Sequence, residues 1–506
     1  MDGVPLSNTL MTTIRIGEQP LSIEQVHAVS VGQPRVELAE AARPRIVRGR
    51  AHLERLLAGG QRIYGVNTGV GGNIVFELAP DQAELLQQNI MRHLSCATGQ
   101  PLPAPMVRAA MLLRLATFAT GCSAVRPELV DALAALLNGG VIPVVPRYGS
   151  VGASGDLMPS AYVARALIGM GEVDYQGRRM PAEEALTAAG LAPISFAPKE
   201  GLALINGTTM MTAAAALLWV ELDRALRALL AAIALSLEAM QAPADPYQPW
   251  VHAAKGHPGQ IAVAALIRGL LEGSRYVTES PVQTAYSLRC PPQGLGPIWE
   301  SLDDARSTLE REINSANDNP LIDPDSGRLY LAGNFYGGHI ARLLDTWKLD
   351  FAIMGNWANA LMAVLVDDKF NLGLPANLSP EPGVNSGFKG MQLSVTSLAC
   401  AIRQLAGPSS IHSLPTEQYN QDVVSLGMHA AVTAMDAMEC LRNEISMVLL
   451  AATQAVDLRR GPDTLGGGSR GVYQVVRELA AFQDRDRPME REVAALAATI
   501  SSRSLC

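Results

Sequence analysis

The chain has 506 residues, with 40 basic and 48 acidic side chains and a formal charge of −8 at neutral pH. Hydrophobic residues make up 48% and charged residues only 17%, against about 25% charged in a typical soluble domain. That balance excludes disorder over most of the chain and lacks a nucleic-acid binder's basic footprint; it points to a large core, or one extended by buried subunit contacts.

The apolar excess does not produce a membrane span. The richest run, Met210 to Met240, is interrupted by Glu221, Asp223, Arg224, Arg227 and Glu238, whereas a span needs about 20 largely uncharged residues. The opening string MDGVPLSNTLMTTIRIG has no basic region followed by an apolar one, so no secretory signal and a cytoplasmic location are expected. Cys96, Cys122, Cys290, Cys400, Cys440 and Cys506 are widely separated and read as reduced thiols. The eight histidines form no HExxH or similar cluster, so no metal is expected.

In chain order, short amphipathic helices are predicted around Ile23–Val31 and Ile46–Leu57. Glycines then mark YGVNTGVGG (Tyr64–Gly72) as a loop. Helical periodicity returns over Gln82–Leu94 and Met106–Phe118. The interval Gly139–Ser160, GGVIPVVPRYGSVGASGDLMPS, is rich in Gly and Pro. Within it, Asp156 can cap a following helix with Pro159 in its first turn. YQGRRM (Tyr175–Met180) reads as a hairpin. Long helices are then predicted over 209–240, 258–272, 297–315, 340–366, 388–405, 421–455 and 471–483. No heptad or repeat is present, so neither coiled coil nor solenoid is indicated. The expected fold is mainly α, with a central bundle of long helices over about 200–460 and Gly-rich loops at their ends.

Polar blocks interrupt this apolar chain: YGVNTG, GSVGASGD, LINGT, AYSLR, NSANDNP, GNFYG and EQYNQD. Each alone could be a cap or turn. Together, rich in carboxamides that need partners when buried, they are expected to converge on one polar site. The GASG string at 152–155 fits neither a P-loop nor a GxGxxG fingerprint after a clear strand. Nor does Ser154 lie in the GxSxG elbow of a hydrolase.

The full string GSVGASGD, Gly149–Asp156, resembles the signature of the aromatic amino acid ammonia-lyases and 2,3-aminomutases, and the other blocks follow in that family's order over about 20–460. The resemblance implies an ammonia-lyase (fumarase/aspartase-like) fold. It also implies a built-in electrophile, 4-methylidene-imidazole-5-one, formed autocatalytically from Ala153-Ser154-Gly155 with no external cofactor. By the same resemblance Tyr64 is the base for the β-proton, which demands a positively biased site because tyrosine ordinarily titrates near about 10. Asn206 supports the prosthetic ring, and Tyr286 lies near substrate and ring. Arg289 clamps the substrate carboxylate, a planar partner suited to a guanidinium. Asn319 adds a carboxylate contact, Phe335 sits beside the ring, Gln421 belongs to the same centre, and Glu417 contacts the substrate amine.

The pair His93-Leu94 resembles the selectivity position of tyrosine-preferring members, where phenylalanine lyases show Phe-Leu and histidine lyases Ser-His. A buried imidazole without a ring hydroxyl to bond would be costly. Gln421 stands where histidine-specific enzymes carry a glutamate. HPGQ, GFKG and TEQYNQDVVSLG look closest to bacterial phenylalanine and tyrosine lyases. Val70, Met158, Ser160 and Tyr336 depart from the common pattern without removing a named function.

The resemblance therefore implies elimination of ammonia from L-tyrosine to trans-4-coumarate, with phenylalanine as a competing substrate. Phenylalanine lyase, histidine lyase and aminomutase outcomes are alternatives; a catalytically silent homologue is the non-enzyme reading. It further implies a homotetramer with composite sites, which would use the apolar excess. The expected division is 1–200, carrying the tyrosine loop and the tripeptide, 201–460 as the helix bundle, and 461–506 as a C-terminal helical segment.

Overall fold

The computed structural model describes residues 13–32, 34–276 and 283–506. It is mainly helical, and strands are few and short. Thr13–Ile16 pairs in parallel with Arg35–Leu38, while Thr98–Pro101 pairs antiparallel with Pro146–Tyr148. Glu172–Tyr175 lies between Ile142–Pro143 and Arg178–Pro181. Its hairpin turns at Gln176-Gly177, both with positive φ, as a two-residue turn between twisted strands requires. The predicted YQGRRM hairpin is therefore present.

The helices fall close to their predicted positions: Ile23–Ser30, Arg43–Ala58, Pro80–His93, Ala104–Ala119, Thr209–Ala239, Pro258–Leu270, Pro291–Ile313, Gly338–Val366, Lys389–Leu405, Gly427–Arg459 and Gly467–Leu479. One expectation needs correction. The segment 421–426 is not helical, and the long helix begins only at Gly427. Its apolar periodicity starts with Met428, after Leu426 at φ +52 turns the backbone left-handed. Helices at Pro127–Asn138, Ala182–Ala188 and Glu200–Ile205 went unpredicted, and Glu490–Ser502 lies in the expected C-terminal helical segment without its own predicted bounds.

Packing divides the chain differently from the sequence blocks 1–200, 201–460 and 461–506. One compact unit comprises Met1–Leu217, Arg306–Asp345 and Pro408–Val432; the other comprises Leu218–Ala305, Thr346–Gly407 and Thr433–Cys506. The long helices 209–239, 338–366 and 427–459 give their first turns to the first unit and the remainder to the second. In the first unit, Met111, Leu112, Phe118, Leu129 and Leu133 are fully buried on helices 104–119 and 127–138.

In the second unit the core is built from side chains such as Leu222, Leu226, Leu230, Ile233, Phe351, Leu361, Leu441 and Leu449, all without solvent exposure. Burying each such aliphatic side chain contributes about 1.5–3 kcal/mol. Helix 338–366 is long and apolar enough to cross a membrane by length and composition, yet it carries Arg342, Asp345, Lys348 and Asp350. Lys348 is fully buried and donates to the Gly407 carbonyl at 2.7 Å and to Thr433 Oγ1 at 3.2 Å.

Glu444, on helix 427–459, is buried with neither carboxyl oxygen hydrogen-bonded among the described residues. Gly355 of helix 338–366 makes room for it: a Cβ there would lie 2.9 Å from Glu444 Oε2. Burial pushes the carboxyl up to about 9 against the opposing Arg403 charge. An acid whose pKa is raised on folding binds its proton more tightly in the folded state, so stability falls as pH rises between the unfolded and folded values. Glu444→Gln removes this proton. Its thermal midpoint is expected to exceed the parent's by a margin that widens from pH 5 to pH 9; a constant margin in paired melting curves contradicts the assignment.

Candidate active site

All the predicted site residues except Tyr286 and Arg289 belong to the first unit. At their centre is the loop Gly149–Asp156. Gly152 and Gly155 adopt φ of +77° and +75°, a region glycine enters without steric penalty. A Cβ on Gly155 would lie 2.0 Å from the Gly207 carbonyl oxygen, so the position has no room for a side chain. Backbone bridges link Gly152 and Ala153 to Gly155 and fold the tripeptide back on itself. Gly207 N–H donates to the Ser154 carbonyl at 3.1 Å, and Asp156 N–H to the Gly207 carbonyl at 2.7 Å. The LINGT block is thereby tied directly to the GASG block.

Four helices begin around this loop. Asp156 precedes helix Leu157–Leu167, but its carboxylate does not cap that helix as expected. Asp156 Oδ2 instead accepts from the backbone N–H of Met210 and Met211, both at 2.9 Å, at the start of helix 209–239. The chain enters helix 157–167 directly beside the start of helix 209–239, and the buried carboxylate finds the unsatisfied donors of the neighbour. Met211 carries the cluster further. Its sulfur lies where a Cβ on Gly337 or on Gly427 would be 2.3 or 2.4 Å away, at the starts of helices 338–366 and 427–459. Leu426 N–H also donates to Val151 at 3.0 Å. The loop thus sits among helix N-termini, whose aligned dipoles favour negative charge.

Tyr64 lies in the loop that opens YGVNTG and is partly buried. Gly71 N–H donates to its Oη at 2.8 Å. Burial pushes the phenol above its ordinary value, the Gly71 bond pulls it down, and the Glu417 carboxylate raises it further. The positive bias that the sequence reading required is therefore not supplied by a cationic side chain near Tyr64 among these influences. Glu417 Oε1 accepts from Gly72 N–H at 3.1 Å, holding the two loops together. Glu417, Gln418 and Tyr419 all have positive φ, and Thr416 pairs with Gln421 across this turn. Gln421 Nε2 in turn reaches Ser154 Oγ at 3.4 Å.

Asn206 ends helix 200–205 and is buried. Its Nδ2 donates to the Asn319 carbonyl at 2.8 Å and to Asp318 Oδ1 at 3.4 Å, while its Oδ1 is buried with no hydrogen-bond partner among the described residues. Asn319 Oδ1 accepts from Ala332 N–H at 2.8 Å, so its own Nδ2 is the donor left for a ligand. Phe335 is half-buried in the neighbouring GNFYG loop.

His93 closes helix 80–93 and is exposed in the single chain, not buried as its expected pocket role implied, because it lies at the helix end on the solvent side of buried Leu94; its Nδ1 is 3.0 Å from the Asn89 carbonyl. The following segment reaches the central loop: a Cβ on Gly149 would lie 2.9 Å from Ala97 Cβ. In the second unit, Tyr286 is 70% exposed on the short helix Tyr286–Arg289, and the Arg289 guanidinium stands 4.8 Å from its ring centroid.

Sequence reasoning missed three buried residues around this site. Arg114 Nη1 donates to the carbonyls of Asn206 and Ala203 at 2.9 and 3.2 Å, and its Nη2 to Thr209 Oγ1 at 3.3 Å. Burial brings its guanidinium down to about 10, opposed by Asp318 and Asp156. The available signal was the second of two arginines in the otherwise apolar string MVRAAMLLRLATFA. Lys199 and Asp318 form a fully buried ion pair of 2.7 Å. Asp318 stood inside a flagged polar block, but nothing in the sequence paired it with Lys199.

The Asp156 bridge has a direct consequence for stability. Burial raises its carboxyl to about 7 against the pull of the Met211 and Met210 N–H groups and Arg114. Asp156→Ala leaves those two helix-terminal donors unpaired, at an expected cost of about 1–3 kcal/mol. Thermal unfolding should show a lowered midpoint; an unchanged midpoint would mean the bridge does not hold the two helix starts together.

Residues 21–478 match the family model for aromatic amino acid lyases. A histidine ammonia-lyase from Aromatoleum aromaticum is 38% identical, with 97% of this chain and 94% of that protein aligned. The phenylalanine aminomutase of Pantoea agglomerans superposes with a TM-score of 0.93 at 32% identity, covering 97% of this chain and 99% of that one. A tyrosine aminomutase from Streptomyces globisporus gives 0.91 at 32% identity, over 96% and 97%. The relatives thus differ in substrate and outcome while sharing one architecture, the ammonia-lyase fold. With the first unit's polar blocks gathered around one glycine-rich loop, this chain belongs to the aromatic amino acid lyase family.

Proposed function

We propose that the protein eliminates ammonia from L-tyrosine to give trans-4-coumarate, with L-phenylalanine to trans-cinnamate as the competing reaction. The observation that carries this reading is the loop Ala153-Ser154-Gly155, folded back on itself at the convergent helix starts. Its geometry fits closure to 4-methylidene-imidazole-5-one. Gly155 is unsubstituted where a side chain would strike Gly207, and the unpartnered Asn206 Oδ1 lies on the residue preceding Gly207. That group, when formed, supplies an electrophile that makes the substrate amine a better leaving group.

The chain's own residues have complementary tasks. Tyr64 Oη takes the β-proton, and the Gly71 N–H stabilises the phenolate that must exist beforehand. Glu417 opposes that phenolate in the free protein. A substrate ammonium beside Glu417 would offset its charge, so binding itself would favour the active base. The free Nδ2 of Asn319 contacts the carboxylate, whose guanidinium clamp the family resemblance assigns to Arg289. Phe335 sits beside the ring, the family resemblance puts Tyr286 near substrate and ring, and before closure Gln421 holds Ser154 through its hydroxyl. The proposed assembly is a homotetramer with sites completed by more than one subunit. Exposed Tyr286, Leu331, Tyr419 and Val423 support it, being apolar or aromatic surface that a further copy would cover.

The choice of tyrosine rests on His93. With the Asn89 carbonyl facing Nδ1, the neutral ring carries its proton there and offers Nε2 as an acceptor. An acceptor suits a phenolic O–H. Similarity to a histidine lyase favours an imidazole substrate instead, but Gln421 provides an amide where a carboxylate would be needed to hold an imidazolium. Similarity to two aminomutases supports a second outcome, return of the ammonia to the β-carbon.

Separate incubations with Tyr, Phe and His, followed by chromatographic separation of α,β-unsaturated acids from β-amino acids, test both choices. Coumarate from Tyr is expected as the leading product. A dominant β-amino acid would replace lyase by mutase, and urocanate as the main product would overturn the substrate assignment. In His93→Phe, the ratio of kcat/KM for Tyr over Phe should fall by about tenfold or more, since one hydrogen bond to the hydroxyl is lost. An unchanged ratio would remove His93 from the pocket.

A further inference from the structure

The amide of Asn206 is held in one orientation by chemistry alone. Both groups facing its Nδ2 are acceptors: the Asn319 carbonyl at 2.8 Å and Asp318 Oδ1 at 3.4 Å. Turning the amide over would set its carbonyl oxygen against both. The second of these acceptors is itself fixed. Asp318 Oδ2 accepts from Lys199 Nζ at 2.7 Å, and Asp318 Oδ1 also accepts from Asn319 N–H at 2.6 Å.

Lys199, Asp318 and Asn206 are 0%, 0% and 2% exposed. Burying an ion pair this fully removes both charges from water, and such a pair is weak evidence for stability by itself. Lys199 also adopts φ +84° at the start of helix 200–205, a strained backbone region for a residue with a side chain. An apolar side chain would satisfy packing there without strain from desolvated charge. The pair's other effect is to keep Asp318 an acceptor toward Asn206.

We propose that Lys199 and Asp318 are positioning residues for Asn206: their ion pair locks the amide so that Oδ1 is turned toward the Ala153–Gly155 loop rather than toward the Asn319 carbonyl. This rests on the proposed closure of that loop. Losing the lock lets the amide turn and present N–H where an acceptor stood. Ring closure then slows, and the mature site loses its orienting group.

Asp318→Asn is nearly isosteric and offers either a donor or an acceptor to Asn206. Lys199→Met/Asp318→Asn additionally removes the ammonium that would otherwise be buried unpaired, and keeps the fold testable where the single variant does not fold. Both are compared with the parent by thermal melting, intact mass and steady-state kinetics below the melting point. The expected result is a cooperatively folded double variant with incomplete loss of the mass of two water molecules. Its matured fraction should show kcat lowered by about tenfold or more with KM little changed. A double variant that matures completely and turns over at the parent's kcat overturns the proposal, and shows the pair to be purely structural. The parent distinguishes the two levels: if the parent itself retains both waters, the loop-closure reading fails, whatever the variants do.

Discussion

One buried carboxylate organises the centre of this molecule. Asp156 is placed by the GASG loop and accepts from the first N–H groups of a different helix, 209–239. A helix N-terminus has donors without intrahelical partners, and a buried one must find acceptors. Because Asp156 satisfies them, the loop and the 31-residue helix 209–239 start at the same place. Met211, the second of those donors, then touches the glycines that open two further helices. The loop consequently lies where several peptide dipoles point their positive ends. Such a place favours electron density building up on a carbonyl of that loop.

Much of the fold was legible from the chain. Apolar spacing located the long helices within a few residues, because burial on one helix face leaves a strong 3.6-residue signature. Gly and Asn blocks were legible as convergent because so many buried amides demand partners. The failures have a common physical origin. Asp156 looked like a cap for the helix immediately following it, since sequence shows only local neighbours. Its real partners lie 54 and 55 residues away. Lys199 and Asp318 are separated by 119 residues, and although Asp318 lay in a polar block, nothing local paired it with Lys199. The segment 421–426 looked helical because Val423, Val424 and Leu426 suggest a buried face, yet positive φ at Leu426 breaks the run.

The low charge content takes on a more definite meaning. Some of the scarce charges are spent inside: Arg114, Lys199, Asp156 and Asp318 are all buried in the first unit. In the second unit, Leu349, Ile353, Phe370 and Leu393 remain exposed in the single chain. A surface with so little charge and such apolar side chains supports the proposed assembly of several copies. The polar residues that composition leaves over are concentrated at the loop, where chemistry needs donors, acceptors and a base.

The central claim is that this loop becomes a ring at the meeting point of the helices. An electron-density map of the crystallised protein, sharp enough to resolve Ala153, Ser154 and Gly155, tests it most directly. The account predicts continuous density joining the Ala153 carbonyl carbon to the Gly155 nitrogen, with the Ser154 side chain flattened and its hydroxyl gone. An open tripeptide, with an intact Ser154 hydroxyl still bonded to Gln421, would contradict it.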